Sequence, residues 1–125
     1  MSASMLLAPL QGLLQYFQQN RFARDDKMDE ALLAIKTALI ESRKYAEESH
    51  GKKAFNRQRE YELSQLWGTA AVKCRHASND LAMRLNDKSL YWSDTLEWSA
   101  EEVIARRIDF ESIETSFNEL LNRHS

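Results

Sequence analysis

The residues best able to do chemistry in this chain are three histidines, one cysteine and 19 carboxylates. Glu47-Glu48-Ser49-His50 contains Glu-x-x-His, the element that di-iron bundles place on two helices. It occurs once here, because Lys73 and Leu121 stand three residues before His76 and His124. Cys74 and His76 are two apart, a spacing that points side chains to different faces of a helix. The i,i+4 acidic pairs Asp25/Asp29, Asp26/Glu30 and Glu97/Glu101 are of a kind that holds Mg²⁺ between helices. They fall at expected helix starts, where the helix dipole accounts for them without a metal. The expectation is therefore no metal and no cofactor. Cys74 sits on an apolar seam and reads as a small buried hydrophobe with an inert thiol. The three glycines, Gly12, Gly51 and Gly68, are isolated. That spacing excludes the phosphate-binding loop, the dinucleotide fingerprint and the nucleophile elbow. The chain is expected not to be an enzyme.

Arg43 and His50 bracket six residues. That spacing resembles the R-x(4–6)-H signature of small all-helical HEPN-type ribonucleases. The resemblance implies RNA cleavage by Arg43 and His50, but Lys44 departs from the Asn, Asp or His that follows the arginine there. Two residues do not assign the chain to that family.

Formal net charge is −2, unevenly spread. Residues 43–59 hold Arg43, Lys44, Lys52, Lys53, Arg57 and Arg59 against Glu47 and Glu48, whereas residues 80–125 carry twice as many acids as bases. The basic joint has two readings. One is contact with a nucleic-acid backbone, with Tyr45, Phe55 and Tyr61 able to stack on bases. The other is a solvated joint that pairs with the acidic C-terminal third. A sequence pI near 5.9 is far from a nucleic-acid binder's footprint, so the second reading is preferred. Trp67, Tyr91, Trp92 and Trp98 form the other chemical concentration. They cap the end of the fold, or line a small-molecule or peptide pocket, since Trp and Tyr dominate such surfaces.

The elements that must carry these residues are helices. Three glycines and one proline in 125 residues compare with about nine and six at average usage, too few turn formers for a strand-rich fold. The pattern predicts a single all-α domain over residues 1–125, an antiparallel four-helix-bundle-like fold with helices at about 8–20, 26–49, 55–86 and 99–123. Pro9 opens the first, where Leu10, Leu13, Leu14 and Phe17 make one stripe. Asp25 or Asp26 caps the second, whose seam is Met28, Leu32, Ile35, Leu39, Ser42 and Ala46, and Gly51 ends it. The third reads as a rod of about 45 Å with the seam Leu63, Leu66, Ala70, Cys74, Ala77, Leu81 and Leu85, thinned at Gly68 for close packing. Residues 88–98 read as a knot with a turn or two of short helix. Ser99-Ala-Glu-Glu102 is a capping box that opens the fourth helix, and Asp109 offers a break within it.

Surplus apolar surface on the first helix points to a non-enzymatic interaction module that self-associates. The expected partner is a second copy, with Leu6, Leu7, Leu13, Tyr16 and Phe17 at the homodimer interface. No run approaches the roughly 20 apolar residues that span a bilayer, and the apolar N-terminus lacks the charged region of a signal peptide. A lone cysteine excludes an internal disulfide and suits a reducing compartment. The expectation is a cytoplasmic protein of the kind that serves as a small bacterial accessory module.

Overall fold

The computed structural model describes residues 12–50 and 56–123, with side chains from residue 26 onward. Every regular element among them is helical: α1 (Gly12–Ser49), α2 (Arg57–Cys74), α3 (Asn79–Ser93), a 3-10 turn (Thr95–Glu97), α4 (Ala100–Ala105) and α5 (Phe110–Arg123). Cross-contacts fix the directions. Lys73, at the end of α2, meets Glu30 at 3.4 Å, while Arg59, at its start, meets Glu41 at 3.1 Å. α2 thus runs antiparallel to α1. Arg57 donates to the Ser93 carbonyl, and Ser64 and Ser89 exchange hydroxyl-to-carbonyl hydrogen bonds of 2.8 and 2.7 Å, so α3 reverses again. α5 returns beside α1, with Arg43 on Glu114 and Lys36 over the Phe117 ring, and beside α3, with Arg84 on Ser116. The result is an all-α, antiparallel, bundle-like domain.

The core follows the heptad-like seams except at Ala46, which is exposed, and at Leu66 and Ala77, which are half-buried. Met28, Leu32, Ile35, Leu39 and Ser42 of α1 are buried against Leu63, Trp67, Ala70 and Cys74 of α2 and Leu81 and Leu85 of α3. Ile113, Phe117 and Leu120 of α5 close the fourth side. Each such Leu, Ile or Phe contributes about 1.5–3 kcal/mol relative to exposure. α3 packs closely on α2 at Gly68, since a Cβ there would lie 3.2 Å from Ser89 Oγ.

Three boundaries differ from the sequence expectation. The helices expected at 8–20 and 26–49 are one helix from Gly12 to Ser49, and residues 8–11 lie outside the described residues. No glycine or proline stands between Gly12 and Gly51, so nothing compels a stop, and Asp26 lies inside the helix instead of capping it. The rod expected at 55–86 is two antiparallel helices. Ser78 caps α3 by accepting from Leu81 N at 3.1 Å, and Ala77 and Ser78 amides both close on the Cys74 carbonyl. A folded hairpin buries both halves of the seam, which a straight rod cannot do. α3 also runs on to Ser93 and takes in the first half of the aromatic knot. The helix expected at 99–123 is broken near the alternative position. The capping box at Ser99 and Glu102 is present, but α4 lasts six residues. Asp109 Oδ2 then accepts from Ser112 N at 3.1 Å at the start of α5.

The α4–α5 turn is a Schellman motif: Ile108 N closes on Val103 O and Arg107 N on Ile104 O. Its left-handed position is Arg107, with φ of 58°, where glycine is usual. The buried Arg84 guanidinium secures the turn by donating twice to the Arg107 carbonyl, at 2.9 and 3.1 Å, and once to Ser112 O at 3.2 Å. Arg107→Gly is expected to stabilise the fold by about 1 kcal/mol by removing the left-handed penalty. Thermal unfolding checks it; a lowered midpoint would contradict this account of the turn.

Candidate functional site

One end of the bundle gathers the C-terminal turns of α1 and α3 with the N-terminal turns of α2 and α5. Tyr45 reaches from α1, and its hydroxyl donates to Glu60 Oε2 at 2.8 Å while accepting from Asn56 N at 3.2 Å. Asn56 is also the N-cap of α2, its side chain accepting from Arg59 N. Glu60 is 2% exposed, and its second oxygen is ion-paired to Arg57. α3 supplies Lys88, Tyr91 and Trp92. The Trp92 ring meets Tyr45 edge-on at 5.6 Å and Tyr91 at 5.1 Å, and Tyr91 meets Trp98 at 6.3 Å. Arg106 lies over the outer ring, 5.3 Å from the Trp98 centroid.

Two groups in this cluster are poorly matched. Lys88 is 6% exposed, and among the described residues its ammonium makes no hydrogen bond or ion pair. It lies over the rings of Tyr91 at 5.0 Å and Trp92 at 5.9 Å. Burial pushes its pKa down to about 8, and the charge of Asp109 only partly opposes that. The Asp109 carboxylate is itself occupied. Burial works against its charge, but hydrogen bonds from Ser112 hold its carboxyl below the usual range. The second group is the Trp92 indole N–H, buried with no acceptor among the described residues. Burial also pushes the Tyr45 and Tyr91 hydroxyls up, the former further by its bond to Glu60.

Of the aromatic residues singled out in the sequence, the cluster brings together Tyr91, Trp92 and Trp98. Trp67 sits apart in the core, fully buried, with its indole N–H donating to Ser42 Oγ at 2.9 Å. Cys74 is buried, and burial pushes its thiol up. In the basic joint, Arg43 pairs with Glu114 at 3.6 Å and stacks on Phe110, and Lys44 pairs with Glu41 at 3.6 Å. Arg59 bridges Glu41 and Glu62. Lys52 and Lys53 lie outside the described residues, as do Leu6 and Leu7. Leu13, Tyr16 and Phe17 fall within α1, in its stretch described by backbone alone. His50 is exposed in the turn after α1. Among the described residues, no three His, Cys, Asp or Glu side chains form a metal-holding group, and no helix is long and apolar enough to cross a membrane.

Sequence reasoning passes over Glu60 and Lys88, although a signal exists. Glu60-Leu63-Trp67-Ala70-Cys74 and Leu81-Leu85-Lys88 keep helical 3–4 spacing, so both charges occupy core positions. Charges at such positions are almost never buried without a reason.

Fold and cluster together define a class: an all-α, bundle-like domain with an aromatic, charge-bearing end. No protein-family model matches the chain, and neither a curated protein nor a solved structure does.

Proposed function

We propose that the chain is a non-enzymatic helical interaction module that self-associates through the N-terminal half of α1. The observation that carries this is the length of α1. Its 38 residues span about 57 Å, against about 27 Å for the 18 residues of α2. Among the described side chains, the pairing with α2 nearest the start of α1 is that of Glu30, and the described core of α1 begins at Met28. Residues 12–27 of the same helix precede Met28. Their sequence continues the seam: Leu14 stands two heptads before Met28 and Phe17 two heptads before Ala31, with Leu13 one turn before Phe17. A seam that continues past its partner helices needs another apolar surface, and the same segment of a second copy supplies one of matching character. A homodimer in the cytoplasm, acting as an accessory module, is the reading this supports.

Leu13→Asp combined with Phe17→Asp places two charges on that seam. Sedimentation equilibrium at micromolar concentration is expected to give twice 14.6 kDa for the native chain and 14.6 kDa for the variant, with helicity retained. A variant that keeps the doubled mass would move the contact elsewhere and defeat the proposal.

A further inference from the structure

The bundle end holds one buried donor without an acceptor, the Trp92 indole N–H, and beside it Lys88, a residue 6% exposed whose ammonium makes no hydrogen bond or ion pair among the described residues. They are four residues apart on α3, a spacing that puts both on one face. Burying an ammonium that lacks a direct ion pair is unfavourable, and burying an N–H without an acceptor adds to the cost. The ring faces of Tyr91 and Trp92 offset part of the first cost and none of the second. Asp109 faces the ammonium but is engaged by Ser112, and Glu60, beyond Tyr91, is taken by Arg57 and Tyr45.

We propose that Lys88 and Trp92 hold the carboxylate of a small organic acid whose apolar body lies against Tyr91, Trp92 and Trp98. A carboxylate has two acceptor oxygens and one negative charge, which matches one ammonium and one neutral N–H. The nearby charges of Asp109 and Glu60 favour a monoanion over a phosphate dianion, which would be repelled more strongly. Aromatic walls with a few convergent polar groups are the usual composition of a small-ligand site. The site is separate from α1's N-terminal half, so it stands or falls independently of self-association.

The test follows indole N–H resonances of the ¹⁵N-labelled full chain at neutral pH. Sodium benzoate and sodium octanoate are titrated to millimolar concentration, with benzamide as the uncharged control. The Trp92 indole signal is expected to move downfield and saturate with either acid, while the Trp67 signal, bonded to Ser42, stays. Lys88→Met is expected to weaken the response at least about tenfold, the usual loss for a charged hydrogen bond. Trp92→Phe, which keeps a ring and removes the donor, weakens binding less, as read from the remaining Trp98 signal. An unmoved Trp92 signal, an equal response to benzamide, or an undiminished response in Lys88→Met would each overturn the proposal.

Discussion

Lys88→Met is expected to stabilise the protein at neutral pH by on the order of 3 kcal/mol, and to abolish a rise of stability with pH. The lysine is 6% exposed and its pKa falls from 10.5 to about 8 in the fold. A pKa that differs by one between the folded and unfolded chain corresponds to about 1.4 kcal/mol. The sign follows from proton counting. Between about pH 8 and 10.5 the unfolded chain holds the Lys88 proton and the folded one has released it, so stability increases with pH through that window. Below about 8 both states are protonated and the full cost of the buried charge is present. Methionine fills the same space without a charge, the kind of exchange that often stabilises buried ionic sites. Other groups titrate nearby with the opposite sign. Cys74, Tyr45 and Tyr91 all keep their protons longer in the fold, so they lower stability as pH passes their ordinary values of 9.0 and 10.0. They are common to both proteins and cancel in the difference. Urea unfolding of the two proteins across pH 7 to 10 checks this. Curves that stay parallel throughout would show that Lys88 keeps its proton in the fold.

Trp67→Ala is expected to cost about 3–5 kcal/mol, the range for emptying an aromatic core site. Trp67 has no exposed surface, and its N–H holds the buried hydroxyl of Ser42, which would lose its partner. Against a total stability of about 5–15 kcal/mol for a native domain, that loss brings the fold near collapse. Trp67→Phe separates the two contributions. It keeps most of the apolar volume and gives up the hydrogen bond, so it is expected to cost about 1–2 kcal/mol. Thermal unfolding of both variants measures the pair. A loss below about 1 kcal/mol for Trp67→Ala would mean that the core refills the space, contrary to the packing described.

The same residue shows what the sequence does and does not disclose. Of the expected seam Leu63, Leu66, Ala70, Cys74, Ala77, Leu81 and Leu85, Leu66 and Ala77 are half-buried against the core and the others are buried. Reading the seam through Leu66 leaves Trp67 one step off it, but Trp67 stands four residues after Leu63 and three before Ala70, and it is Trp67 that is fully buried while Leu66 is half-buried. Residues 75–78 contain neither glycine nor proline, so the break is marked only by Ser78-Asn79-Asp80, a run of cap formers that disfavours a helix interior. Arg107 conceals the α4–α5 turn in the same way, since the residue expected at a left-handed helix end is glycine. α1 shows the converse, a cap signal at Asp25 and Asp26 that the chain does not use. Caps are worth about 1 kcal/mol and are overridden by a continuous run of helix formers. The bundle-end cluster is half legible. Its aromatic residues stand out by type, whereas Glu60 and Lys88 announce themselves only by occupying core positions that a count of apolar residues ignores.

The functional reading rests on the N-terminal half of α1 meeting its counterpart in a second copy. Isotope-filtered NOE spectroscopy on a mixture of labelled and unlabelled chains measures that contact directly. The predicted result is intermolecular cross-peaks to the Leu13 methyls and the Phe17 ring. A spectrum without intermolecular cross-peaks, or one in which they arise only from residues after Met28, would contradict it.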